Sequence, residues 1–193
     1  VYLALNTPHS AMQVPDQYWQ KFVDKEIVPD PEAANVKKEK LMHTRAALAM
    51  CENIDANVGR LIQHLDTIGI GEDTIVIYFS DNGPNGARFN AGMRGRKGST
   101  NEGGLRSPCL IRYPRCIAAG TKVNRIAGAI DLLPTLADFA GLEFDAPKPL
   151  DGKSIKPLLT GGGEDWKSRV MFSTWNRKAT VRDDRYRLQI ITL

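Results

Sequence analysis

No apolar stretch in this 193-residue chain is long enough to cross a membrane as a helix. Cysteine is scarce. The three residues, Cys51, Cys109 and Cys116, show neither CxxC nor any metal-ligand spacing, which argues against a zinc module or a disulfide framework. Charge of one sign is missing too: 26 basic against 22 acidic residues give a net charge of +4. That excess is too mild and scattered to argue for nucleic acid, though it suits an anionic ligand. There is no internal repeat, no low-complexity tract and no initiator Met or basic leader. The chain opens inside an apolar run, Val1-Tyr2-Leu3-Ala4-Leu5, which reads as a strand entered midway. The natural protein is therefore expected to extend upstream, where any leader would lie.

What is present is ordinary globular material. The apolar fraction of 42% permits a core, and the length fits one domain or one and a fraction. Pro8 ends the first apolar run, and the polar residues 24–40, with Pro29, Pro31 and Lys37-Lys38-Glu39-Lys40, read as a surface loop. Leu48, Cys51, Val58, Leu61, Ile62, Leu65 and Ile68 recur at three- and four-residue steps, predicting a helix from about Leu41 to Ile68 with Gly69 as its C′ residue. Thr74 to Phe79 is dense in β-branched and aromatic residues and predicts a fully buried strand. Helix feeding strand implies an α/β layer architecture, here part of a mostly parallel sheet flanked by helices.

Residues 83–104 form a long glycine-rich loop with few apolar residues, a pattern that is usually either functional or disordered. A short strand, Cys109 to Tyr113, and a turn at Pro114 follow. Cys51 and Cys109 are expected in the core, and the geometry that small disulfide loops demand disfavours a Cys109–Cys116 bridge. Asp131 is placed to N-cap a helix running through Ala140, with Pro134 in its first turn and Gly141 closing it. After Pro147 and Pro149 the character changes. Val170–Trp175, Ala179–Arg182 and Tyr186–Thr192 read as strands of a small antiparallel unit, with Asp183-Asp184 as a tight turn. The division expected is 1–146 for the α/β part and 147–193 for the smaller unit.

Chemistry concentrates in three places. Asp81-Asn82-Gly83 follows the predicted strand directly, where open α/β sheets bind ligands. A carboxylate beside a carboxamide suits a hard, oxygen-loving cation; the competing reading is a hairpin turn, which Asn-Gly also favours. Two such ligands cannot complete a Ca²⁺ shell, so substrate, water or an upstream segment must supply the rest. His9 lies just beyond the first predicted strand, as Asp81 lies beyond its own, and is either a proton-exchanging group or the ornament of a Pro turn. Lys97, in Arg94-Gly95-Arg96-Lys97-Gly98, is either a point charge for an oxyanion or part of a solvated basic loop. Glu102-Gly103-Gly104-Leu105-Arg106-Ser107-Pro108 reads as architecture.

Taken in order, several stretches resemble the sulfatase family of the alkaline phosphatase superfamily. They are Asn6-Thr7-Pro8-His9, Ile54-Asp55-Ala56-Asn57-Val58-Gly59-Arg60-Leu61, Phe79-Ser80-Asp81-Asn82-Gly83 and Arg94-Gly95-Arg96-Lys97-Gly98-Ser99, then Glu102 to Pro108, Ile130 to Leu136 and Leu150-Asp151-Gly152-Lys153-Ser154. The resemblance implies that Asp81 and Asn82 are metal ligands, usually for Ca²⁺, with Mg²⁺ as the other fit. It implies that Lys97 and His9 contact the sulfate and leaving group, so both are candidate catalytic and substrate-binding residues. It implies hydrolysis of sulfate monoesters on small molecules or carbohydrates, in a periplasmic, lysosomal or extracellular setting. The chain departs from the family in lacking its two further metal aspartates, its upstream Lys and His, and its nucleophile motif. The Cys/Ser-x-Pro-x-Arg motif whose Cys or Ser becomes formylglycine is absent: Cys109 is followed by Leu-Ile-Arg and Cys116 by Ile-Ala-Ala. Formylglycine is therefore expected only upstream, and this stretch alone is expected to be inactive. The rivals are a phosphatase or phosphodiesterase of the same superfamily, which generally carries His where Asn82 stands, and a non-catalytic anion-binding fragment.

Overall fold

The computed structural model describes residues 1–28, 40–86, 88, 90–143 and 147–190. Most of the 24–40 loop, the boundary near 146, and the predicted strand residues Ile191 and Thr192 lie outside the described residues. The contacts divide the chain into two units, Val1–Ile111 and Arg112–Leu193.

The first unit is built on α2 (Leu41–Thr67), against which α1 (Asp16–Trp19) packs. The predicted helix is present, and Gly69 follows it at φ +77°, a left-handed conformation that glycine adopts without a Cβ penalty. Its buried arc is Ala46, Ala49, Met50 and Ile54, with Ala47 alongside. Those positions follow i, i+3, i+4, i+8 spacing, and small alanines let neighbouring chain come close. Leu48 and Cys51, off that arc, face solvent, and Leu61, two turns beyond Ile54 on the same side, is exposed as well. The helix is apolar on two sides, so periodicity located the helix without deciding which side is covered.

The predicted strand is β1 (Val76–Phe79), half-buried rather than fully buried, and it pairs with β2 (Cys109–Arg112) in a two-stranded sheet. Cys109 and Cys51 are exposed rather than core residues, and the three cysteines are free. Val1 to Leu5 is exposed and forms no strand, since no neighbouring chain among the described residues offers it a ladder. Of the mostly parallel sheet expected to contain β1, the described residues supply two strands, β1 and β2. The fold is α/β, with one two-stranded and one three-stranded sheet among the described residues. None of its described helices is long and apolar enough to cross a membrane.

In the second unit a 3-10 turn, Ala129–Asp131, leads into α4 (Leu132–Phe139), with Gly141 at φ +65° behind it. Asp131 stands at the N-cap position of α4, but its carboxylate does not cap that helix. It turns instead to the Gly128 N–H (2.8 Å), the Lys153 N–H (3.0 Å) and the guanidinium of Arg169. α5 (Lys156–Leu159) is held to α4 by Asp138, which accepts hydrogen bonds from Ser154 Oγ (2.5 Å) and Lys156 Nζ (2.9 Å). β3 (Met171–Trp175), β4 (Lys178–Arg182) and β5 (Arg187–Ile190) form the expected antiparallel sheet, with Phe172, Val181 and Leu188 in one cross-strand row. The Asp183 turn works as composition suggested: Oδ1 accepts the N–H groups of Arg185 (2.7 Å) and Tyr186 (2.6 Å).

Candidate functional site

The end of β1 is fixed before any functional side chain appears. Ser80 N–H donates to the Pro108 carbonyl (3.3 Å), and Ser107 Oγ donates to the Ser80 carbonyl (2.6 Å). Asp81 and Asn82 therefore leave a strand end clamped from the β2 side. Gly83 N–H then donates to the Gly104 carbonyl (3.0 Å). Gly83 has to be glycine there, because a Cβ would stand 1.8 Å from the Gly103 carbonyl oxygen. Gly103 and Gly104 are buried in α3 (Glu102–Leu105), a short helix that the glycine-rich reading did not anticipate. A Gly83→Ala change is expected to force the two segments apart and cost roughly 1–3 kcal/mol, as overpacking does. Urea unfolding of the variant beside the wild type checks this; an unchanged midpoint would show that the close approach is dispensable.

Asn82 donates its side-chain N–H to the Gly83 carbonyl (2.9 Å), and its own carbonyl accepts from Ser80 Oγ (3.2 Å). With the amide nitrogen engaged, the side-chain oxygen is the group left for a ligand, which is the atom a hard cation takes. The Asp81 side chain is exposed and makes no hydrogen bond or ion pair among the described residues. No group of three or more His, Cys, Asp or Glu suited to a metal occurs among them either.

Lys97 reaches this region through its backbone. Its N–H donates to the Pro84 carbonyl (2.9 Å), two residues beyond Asn82 and so no more than about 7.6 Å along the Cα trace from it. Its side chain meets His9, 88 residues away: Nζ lies 3.3 Å from Nε2. His9 is held by its own N–H, which donates to the Asn6 carbonyl (3.0 Å), and by Nδ1, 3.0 Å from the Ser10 carbonyl. A carbonyl only accepts, so Nδ1 carries the hydrogen. An ammonium only donates, so Nε2 offers its lone pair to Lys97. One of the three ammonium hydrogens is thus spent on His9, and among the described residues the other two have no partner and are open to an anion. Both side chains are exposed.

The structure therefore brings His9 and Lys97 into contact and joins the Lys97 backbone to the Asp81–Pro84 turn. Asp55 stays on the exposed surface of α2. Sequence reasoning missed Ser107 and Asn90, which fix the loops beneath these residues. Neither carries a local signal: a serine before Pro108 and an asparagine among glycines look like ordinary loop composition.

Residues 1–142 match the family model described as Sulfatase, and residues 97–191 match the one described as N-sulphoglucosamine sulphohydrolase, C-terminal. Human arylsulfatase A is 41% identical over 127 residues, covering 62% of this chain and 24% of that protein. Mouse steryl-sulfatase is 36% identical over 135 residues, covering 65% and 22% respectively. The crystal structure of Ps i-CgsB in complex with k-i-k-neocarrahexaose superimposes with a TM-score of 0.78 at 27% identity, over 94% of this chain and 38% of that one. The chain spans about a quarter of the length of these curated relatives.

Proposed function

Because this chain belongs to the sulfatase family, we propose that it supplies the cation-binding and leaving-group side of a sulfuric ester hydrolase whose remaining parts lie outside these residues. The observation that carries this reading is the 3.3 Å contact between Lys97 Nζ and His9 Nε2, next to a turn bearing Asp81 and Asn82. A carboxylate with no partner among the described residues and a carboxamide oxygen suit Ca²⁺, with Mg²⁺ as the second fit. A cation held there would act as a Lewis acid toward the sulfate oxygens.

The chain's own residues have two tasks. The Lys97 ammonium gives fixed positive charge to the sulfate, using the two hydrogens not committed to His9. The Lys97–His9 contact also holds a transferable proton. As the sulfur–oxygen bond breaks, the electron pair goes to the alcohol oxygen, that oxygen takes the proton, and water restores it to the pair. The nucleophile is formylglycine in this reading and lies upstream. β1 and β2 belong to a larger, mostly parallel sheet completed outside the chain, and the residues from 147 onward open a smaller antiparallel unit. The substrate is a sulfated small molecule or a sulfated carbohydrate. The relatives are named arylsulfatase A and steryl-sulfatase, and Ps i-CgsB was solved in complex with k-i-k-neocarrahexaose.

Parallel assays of the full-length protein with sulfate and phosphate esters test this function. Sulfate esters are expected to turn over faster; a preference for phosphate esters would move the protein to the phosphatase branch, and no turnover of either would favour the anion-binding reading. Chelation should remove at least about 99% of the activity, and added Ca²⁺ should restore it. Activity indifferent to a chelator would remove Asp81 and Asn82 from the cation site.

A further inference from the structure

Lys97 sits at the tip of a glycine-rich loop that Ser99 closes, its N–H donating to the Arg96 carbonyl (3.0 Å) and its Oγ accepting the Arg96 N–H (3.3 Å). Residues 91–99 contain Gly92, Gly95 and Gly98, all at positive φ, and such a chain loses much conformational freedom when it is ordered. One side chain secures the root of that loop. The Asn90 amide nitrogen donates to two carbonyls at once, Met93 (2.6 Å) and Gly95 (3.0 Å), which uses both of its hydrogens. The Asn90 carbonyl accepts the Met93 N–H (3.3 Å). Between the two carbonyls, that of Arg94 accepts the Gly103 N–H (2.9 Å). A Cβ on Gly103 would stand 2.7 Å from the Asn90 amide nitrogen and 2.4 Å from the Gly95 oxygen, so amide, loop and α3 are in close contact. Three successive carbonyls are thus held from one side, and the chain then turns at Gly95 and delivers the Lys97 N–H to Pro84.

We infer that Asn90 is a positioning residue for Lys97: it sets the loop so that the ammonium meets His9 at the anion site. The inference rests on the proposed role of Lys97. Asn90 touches neither substrate nor reacting atoms; it acts through the placement of another side chain. Catalytic groups tolerate little misplacement, since an error of about 1 Å can cost around 10²-fold in rate. A mere brace and a positioning residue differ in one respect: only the second loses its effect once Lys97 is gone.

The test is a double-mutant cycle in the full-length protein, with Asn90→Ala, the isosteric Asn90→Asp that lacks donors, Lys97→Ala, and Asn90→Ala combined with Lys97→Ala. Each Asn90 variant is expected to lower kcat about 10- to 10²-fold, with KM changing less. In the Lys97→Ala background the same change should cost less than about twofold, because the two residues act as one unit. A second measurement does not use activity: the rate at which Lys97 is acylated, followed by mass spectrometry, should rise about threefold or more in both Asn90 variants as Nζ leaves His9. A full multiplicative loss on top of Lys97→Ala overturns the inference, and so does an unchanged Lys97 acylation rate. If the wild-type protein hydrolyses no sulfate ester, the proposed function falls, and acylation alone still decides the role of Asn90.

Discussion

Replacing Lys97 by alanine in the full-length protein is expected to lower kcat/KM for its sulfate ester by about 10²- to 10³-fold, the usual loss when one preorganised charge donor is removed. Lys97 contributes more than charge, because its Nζ is the group 3.3 Å from His9 Nε2. His9→Ala should cost about 10²- to 10⁴-fold if the pair delivers the leaving-group proton. The double variant should lose much less than the product of the two, since both side chains share one proton. Lys97→Arg keeps the charge but replaces a compact ammonium with a planar fork, so it should not restore the rate. Stability should hardly move in any of these, as both side chains are exposed. Steady-state kinetics with matched thermal unfolding checks this. A Lys97→Ala variant within threefold of wild type would take the ammonium out of the mechanism.

Such a pairing could not be read from the chain. The pattern of β-branched residues placed β1, and with it Asp81 and Asn82 at a strand end, because that signal is local. His9 and Lys97 are 88 residues apart. Taken singly, one reads as a histidine beside a Pro turn and the other as a lysine in a basic loop. Their contact depends on two hydrogen-bonded turns closing over an intervening helix and strand, and neither propensity nor periodicity contains that. The same limit explains α2: its period was legible, but the buried arc is Ala46, Ala49, Met50 and Ile54, whereas Leu48 and Cys51 are open to solvent. A helix apolar on two arcs leaves the choice to its neighbours. The tail strands were legible because alternation and the Asp183 turn are both short-range. The expected strand at Val1 to Leu5 failed for the opposite reason, since a ladder needs a second chain segment that composition cannot supply.

Asp131 shows most clearly what a sequence withholds, and it carries the largest expected effect on stability. Its carboxylate is 0% exposed, and Arg169, 38 residues on and 14% exposed on its side chain, grips both oxygens, with Nη1 to Oδ1 at 2.8 Å. Burial alone would push this carboxyl up; the hydrogen bonds from Arg169, Gly128 and Lys153, with the Arg169 charge, outweigh it and hold the group below the ordinary carboxylate range. Arg169→Met removes the guanidinium and leaves a buried carboxylate with two backbone donors, which is expected to cost roughly 3–5 kcal/mol. Asp131→Asn should be comparably harmful, because it strands the guanidinium; the combined variant should lose less than the sum, the signature of a coupled pair. The acid dependence has a definite sign. A depressed folded-state value means that the unfolded chain binds the proton first, so the contribution is fully present above the unfolded value of about 3.9 and is lost as pH falls through the lower folded value. Trp166 reports on the site, since Lys153 Nζ lies 3.6 Å and the Arg169 guanidinium 6.0 Å from its ring. Urea unfolding followed by tryptophan fluorescence, repeated from pH 7 down to pH 2, should show wild-type stability falling below about pH 4 and the Arg169→Met variant already weak at neutral pH. Equal midpoints for the two proteins at pH 7 would show that the pair only breaks even against its desolvation.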